Sequence, residues 1–377
     1  MGLSLSTTVR RLLVASVPTV LAATLLAAAP SYAAGPVNTV PPTISGTAKV
    51  GELLRSDKGT WTGTGIGYRY QWFRDGRWIR DADTRNHRLT AADLGHRMTV
   101  RVFATDGSGA TSKADSAPTG AVARGTMTSR KRPGVSGARR FGATVRAATG
   151  TWSTTPTRRR YQWYSAGDPV RGATGVRFRL RPQDVGRRIQ VQVRASAPGY
   201  TWASKRSRSV PIQHRVDVRR TVTYSVTTRG RISASVADFK RLAAQTYADP
   251  RGWRGGGVRF RQVASGGGFT LVLANANAMT SFSSACSSMW SCRVGRFVVI
   301  NQERWKHASP AWNRAGRSLR DYRHMVVNHE TGHWLGFGHA RCPGAGKPAP
   351  VMMQQSKGRA GCRFNPWPTL GELRRAR

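Results

Sequence analysis

His329-Glu330-Thr331-Gly332-His333-Trp334-Leu335-Gly336-Phe337-Gly338-His339 is the stretch on which the reading of this 377-residue chain turns. His329 and His333 stand four apart, so one helical turn brings both imidazoles to a single face, where they can grip the same metal ion. Glu330 is rotated beside that row. There it can reach a metal-bound water without being consumed as a ligand, which is what a general base needs. Gly336 lets the backbone leave the helix abruptly and bring His339 back toward the same ion. Three neutral nitrogens suit Zn²⁺ and leave a fourth position open for water. Upstream, Ser318 with Asp321 is a capping-box pattern that predicts a helix running through Met325, Val326 and His329 to about Leu335. The other five histidines, His87, His96, His214, His307 and His324, lack this spacing and read as ordinary interior or surface rings.

Around this helix, strands and helices mix. Thr221 to Thr227, Val258 to Val263, Phe269 to Ala274 and Arg296 to Asn301 read as strands, and Ser235 with Asp238 opens a helix through Tyr247. Residues 213–377 are therefore expected to form one α+β domain. All four cysteines, Cys286, Cys292, Cys342 and Cys362, lie in it, with no Cys-x-x-Cys spacing to suggest a cysteine-held metal. Three disulfide connectivities are open, and nearness in sequence favours Cys286 with Cys292 and Cys342 with Cys362.

Residues 329–339 resemble the extended zinc-binding motif of the metzincin metallopeptidases. That resemblance implies a zinc peptidase in which His329, His333 and His339 hold Zn²⁺ and Glu330 is the catalytic base. It also implies a Met in a tight turn beneath the metal. In Ala349-Pro350-Val351-Met352-Met353-Gln354 the expected residue is Met352, with Met353 the neighbouring alternative. No Tyr follows this turn directly to serve as an auxiliary oxyanion donor. In such peptidases the substrate is implied to run as an added strand along an exposed sheet edge, for which Phe269–Ala274 and Arg296–Asn301 are the two candidates. Trp334 and Phe337 are read as packing groups. Tyr224-Ser225-Val226, the segment from Val298 to Trp305, Cys342-Pro343 and the Met turn extend the likeness over 213–373. There the chain is similar to an uncharacterised family of exported actinobacterial metzincin-like proteins.

Further upstream the chain repeats itself. Gly-Thr-Trp at 59–61 returns at 150–152, Tyr-Gln-Trp at 70–72 returns at 161–163, and Asp-x-Gly at 93–95 returns at 184–186, always offset by 91. Aligning 44–104 with 135–195 gives 23 identities in 61 positions. A constant offset without gaps argues for two copies of one structural unit. Met98 to Phe103 and Ile189 to Arg194 alternate with period two between turn-rich segments, so both copies read as antiparallel β-sandwiches. The repeats resemble the immunoglobulin-like repeats of exported bacterial surface proteins over about 44–118 and 133–211, with Trp72 and Trp163 as core anchors. The basic stretch from Arg124 to Arg140 reads as a solvated linker between the copies or a contact for anionic polymer.

The fold class expected is thus multidomain: two all-β immunoglobulin-like sandwiches, 34–120 and 121–212, followed by an α+β metzincin-like domain, 213–377. Before them, Arg10 and Arg11, the apolar run from Leu12 to Ala29 and the exit Ser31-x-Ala33 read as a signal peptide over 1–33. An uncleaved anchor helix is the rival reading of that run. Val9 and the absence of a fuller motif weaken a twin-arginine route. Export would place the mature chain outside the cell, secreted or at its surface, with no transmembrane segment, and would favour disulfides.

Charge is large and uneven. The chain carries 61 Lys and Arg against 17 Asp and Glu, a net charge of +44. Residues 36–120 hold 12 basic and 8 acidic groups, 121–212 hold 20 and 2, and 213–377 hold 27 and 7. With 39% apolar residues, wholesale disorder is excluded despite that charge. The function expected is an exported zinc endopeptidase, with a protein or peptide as substrate and anionic cell-wall polymer as a partner of the basic surface. Nucleic acid is not expected as the specific partner, since charge alone sets stickiness and salt dependence. The alternative is a cationic envelope-binding or adhesion protein whose zinc is structural, a reading that gives Glu330 nothing to do.

Overall fold

The computed structural model describes residues 35–376, so the expected signal peptide lies outside the described residues. The chain divides after Ala123 into two compact units.

The first unit is one sandwich. Gly67–Arg74 pairs antiparallel with Met98–Thr105, which pairs with Thr111–Asp115, while Leu53–Ser56 lies between Ile44–Ser45 and Asn86–Arg88 in another sheet. Met98, Val100, Val102 and Ala104 are buried and the residues between them are not, as period-two alternation requires. Trp72 is fully buried, and its Nε1 donates to the Thr84 carbonyl at 2.9 Å.

The second unit begins with the same arrangement 91 residues on: Arg158–Ser165 pairs with Arg188–Ser196, which pairs with Ala203–Arg206. Val145 and Ala147 from one sheet share a core with Trp163, Ile189 and Val191 from the other, which makes this too a sandwich. The linker reading of Arg124 to Arg140 is corrected here. Met127 is buried, Ser129–Lys131 pairs with Thr151–Trp152, and Gly134–Ser136 pairs with Thr144–Ala148, so the stretch supplies opening strands of the second sandwich. Its strands are only three residues long, too short for alternation to register, and Arg130 and Lys131 on the first of them are exposed.

The rest of the second unit mixes strands and helices: β1 (Arg220–Arg229), α1 (Val236–Ala248), β2 (Val258–Gln262), β3 (Phe269–Ala274), β4 (Cys292–Val294), β5 (Phe297–Asn301), α2 (Gln302–His307), α3 (Pro310–Arg314), α4 (Leu319–Trp334) and α5 (Leu370–Arg375). One sheet runs in the order β2-β1-β3-β5-β4; β4 alone is antiparallel to its neighbour. Leu271, Leu273, Val298 and Ile300 face a large core with Phe239 and Tyr247 of α1 and Met325 and Val326 of α4. Val272, Ala274 and Val299 face the opposite way, into a smaller cluster with Met279. Burial on both faces explains why β3 and β5 read as nearly unbroken apolar runs.

Neither β3 nor β5 is an edge. Each has a partner on both sides, and the edge nearest the motif helix is the three-residue strand β4, joined to β5 by a tight hairpin. The two expected edge candidates are therefore replaced by Cys292–Val294. No helix among the described residues is long and apolar enough to cross a membrane.

Candidate metal centre

Ser318 caps α4, its hydroxyl accepting from the Asp321 amide at 3.0 Å. The helix carries His329, Glu330 and His333 and stops at the glycine expected to stop it: Gly336 has φ of +94°, open to glycine at no steric cost. Phe337 N–H bonds back to the Gly332 carbonyl at 3.0 Å and Gly336 N–H to the His333 carbonyl at 3.1 Å, the paired bonds of a Schellman turn. That reversal returns His339 to the helix face.

The three imidazoles meet. Nε2 of His333 lies 3.2 Å from Nε2 of His329 and 3.2 Å from Nε2 of His339, and one ligand nitrogen from each ring falls within 4.8 Å of the others. Nδ1 of His329 donates to the Val351 carbonyl at 2.7 Å and Nδ1 of His333 to the Phe337 carbonyl at 2.8 Å. A carbonyl only accepts, so both rings carry their proton on Nδ1 and turn an Nε2 lone pair inward. Burial, and then the neighbouring His333, push His329 down to about 3; burial likewise lowers His333 and His339. The rings are thus neutral at ordinary pH, the form that binds metal.

Zn²⁺ fits this donor set. Tetrahedral nitrogens at roughly 2.0–2.1 Å from an ion lie about 3.3 Å apart, close to the separations at His333. Without a cation, lone pairs that close repel.

Glu330 lines the same cleft, a space of about 460 Å³ whose wall also includes Trp290, Arg293 and Lys357. It is not one of the residues whose ligand atoms converge. Burial pushes its carboxyl up to about 8.

The floor is built by contacts that sequence reasoning only partly foresaw. Met352 is fully buried, and a β-carbon placed on Gly332 would collide with its sulfur and lie 2.8 Å from the Trp253 ring. Gly332 is therefore glycine because Met352 packs against the helix there. Met353 is buried apart, in a cluster with Ala349 and Cys362. Trp334 packs on Phe269 at 4.9 Å and Phe337 on Trp253 at 4.9 Å. The disulfides are Cys286–Cys292, which ties β4 to the preceding loop, and Cys342–Cys362, which encloses the Met352 turn.

Glu372 was not singled out. Buried on α5, its carboxylate accepts from the amides of Val351 at 3.1 Å and Met352 at 2.9 Å while capping its own helix through Thr369. It holds the peptide whose carbonyl orients His329. The capping-box pattern Thr369-x-x-Glu372 was the available signal, but it announces only a helix start.

Over residues 200–365 the chain matches a family model described as a protein of unknown function (DUF3152). The matched stretch contains the three histidines, Glu330, Met352 and all four cysteines, and stops short of Glu372. No curated protein matches. Similar solved structures include the three N-terminal domains of the bacteriophage RB49 highly immunogenic outer capsid protein, at 14% identity over 51% of this chain and 66% of that one, with a TM-score of 0.21. Immunoglobulin domains 1–5 of Sidekick-1 match at 18% identity over 52% of this chain and 43% of that one, with a TM-score of 0.17. Murine CEACAM1b matches at 14% identity over 46% of this chain and 98% of that one, with a TM-score of 0.18. The chain spans less than two thirds of the length of the first two.

Proposed function

We propose that the chain is an exported zinc endopeptidase of metzincin type whose reaction is carried out in the cleft of residues 213–377, the two sandwiches serving as spacers. The observation that carries this reading is the convergence of three imidazoles, two of them oriented by outward bonds to backbone carbonyls, beside a buried carboxylate that is not among the ligands. A purely structural ion would have no use for Glu330. Both disulfides suit an oxidising compartment.

His329, His333 and His339 would hold the ion, which when bound would supply Lewis acidity toward the scissile carbonyl and the attacking water. Glu330 accepts the proton of the attacking water and returns it to the leaving amine. The unpaired side of β4 offers backbone groups to an extended substrate, and Arg293 on that strand, with Lys357 across the cleft, favours acidic side chains beside the cleaved bond.

The test measures metal content and cleavage of unfolded protein substrates by the purified chain and by Glu330→Gln, with and without chelator. One bound zinc per chain, chelator-sensitive cleavage and its loss in a variant that keeps the metal are expected. Equal cleavage by both proteins, or folded material that neither contains nor takes up zinc, rejects the proposal.

A further inference from the structure

The second sandwich has a feature that the cleft does not use. Along Arg158–Ser165 the core-facing residues Tyr161 and Trp163 alternate with outward ones, and the neighbouring strand does the same with Val191 and Val193 inward. On the outer face Arg160 stands directly across from Arg194, Arg158 lies two residues along the strand, and Arg206 stands across from Gln192. All four arginines are exposed. Arg158 and Arg160 are spaced by about 7 Å along the strand, and cross-strand neighbours by about 5 Å.

Among the described residues no carboxylate pairs with them. The sandwich has two acidic residues, Asp168 and Asp184. Asp184 is buried and bonded to Arg181 at 2.8 Å, and Asp168 sits opposite Ser165, five residues further along the strand from Arg160. The first sandwich is an internal control on the same backbone. At the positions of Arg158, Arg160, Arg194 and Arg206 it carries Gly67, Arg69, Phe103 and Asp115, and Asp115 is bonded to Arg101 at 2.7 Å. The fold does not demand cations at all four positions, since the sister copy keeps only Arg69 of them and places a carboxylate at the fourth.

The arginines are also pre-positioned. Arg160 and Arg194 stack on the ring of Trp202, at 5.1 and 5.8 Å, and Arg206 on Tyr164 at 3.8 Å. Trp202 is 36% exposed for so large a group and forms, with Arg124 and Arg158, part of the wall of an adjoining cleft of about 580 Å³. Stacked guanidinium planes lose little freedom on meeting an anion and present several donors each. With guanidinium groups over both rings, the face presents charge and N–H groups ahead of stacking platforms, unlike a surface for single-stranded nucleic acid.

We propose that this outer face, with Arg158, Arg160, Arg194 and Arg206 as its contacts, is a docking site for a phosphodiester-linked polyanion without bases, a polyol-phosphate chain. The inference does not depend on the peptidase reading. It is tested on the full chain by fluorescence anisotropy with labelled poly(glycerol phosphate), and with poly(dT) of equal charge, across a salt series. Arg160→Gln/Arg194→Gln/Arg206→Gln is compared with Arg69→Gln/Arg101→Gln/Lys113→Gln, which removes the same charge from the corresponding face of the first sandwich. The first triple variant is expected to bind poly(glycerol phosphate) at least about 10-fold more weakly at moderate salt, with the slope of log K against log salt reduced by about 2, as loss of two or three phosphate contacts requires. The control is expected to stay within about 2-fold. Equal loss in both variants, no loss in the first, or tighter binding of poly(dT) overturns the proposal. Arg160→Gln/Arg194→Gln serves the same comparison should the triple variant unfold.

Discussion

The corners of the two sandwiches and the cleft beside α4 each bury a carboxylate, and they treat it in opposite ways. Asp93 and Asp184 end short 3₁₀ turns and bond back to the residues that cap them, Thr90 and Arg181. Burial alone would raise both, but the His87 ring beside Asp93 and the bonds Asp93 receives from Thr90 and Arg74, and for Asp184 those from the Arg181 side chain and amide, hold them below the usual carboxylate range. Glu330 has burial as its one resolved influence and is pushed up to about 8. A carboxylate whose partners are all present stabilises a fold. One held in a cleft without them is available for chemistry, at a cost in stability.

Replacing the acids tests that contrast most strongly. Glu330→Gln is expected to lower peptide cleavage by at least about 10²–10⁴-fold, the usual share of general acid–base catalysis, while thermal stability is unchanged or higher. Asp184→Asn is expected to leave cleavage per folded molecule intact and to cost on the order of 2–4 kcal/mol, because Arg181 loses its charged partner. Denaturant unfolding of the two variants beside activity assays decides it; a loss of stability in Glu330→Gln equal to that of Asp184→Asn would erase the distinction.

Acid sharpens it next. A carboxylate held low in the folded state contributes its full stability above the unfolded value of about 4 and loses that contribution as pH falls through the folded one. The sandwiches should therefore keep a constant midpoint from neutral pH to about 5 and weaken below about 4, and Asp93→Asn/Asp184→Asn should flatten the decline. Thermal melts across that range measure it.

Two smaller effects probe the floor under the histidines. Gly332→Ala would drive a methyl group into Met352 and Trp253, with an expected cost of about 1–3 kcal/mol and a displaced turn. Glu372→Gln keeps the shape but weakens the grip on the Val351 and Met352 amides. Zinc affinity, measured by competition with a chromogenic chelator, should then fall by about 10-fold, as expected when a group orienting a metal-ligating histidine is lost. Unchanged affinity in Glu372→Gln would show that the turn holds itself. Smallest of all, Arg293→Gln should lower the preference for acidic peptides by less than about 10-fold.

The sequence disclosed those parts of the molecule whose geometry is local. His329, Glu330, His333, Gly336 and His339 lie within three turns of chain, so helical spacing and one glycine suffice to bring the rings together. Trp72 and Trp163 were legible because a duplicated, alternating pattern has one sensible inside. What escaped depended on distant partners. Glu372 reaches back some twenty residues to the turn it holds, and nothing in Thr369-x-x-Glu372 says so. The edge strand β4 is three residues long and polar at its centre, too short for alternation to register, whereas its apolar neighbour β5 invited the wrong assignment.

The Schellman turn at Gly336 has one more consequence. By folding the chain straight back, it confines all three nitrogen donors to eleven consecutive residues, so an ion seated among them cross-links a very short loop. Short loops forfeit little entropy on closure. The sheet, both disulfides and each sandwich owe the ion almost nothing, and a demetallated chain should remain folded, silent and ready to be reloaded.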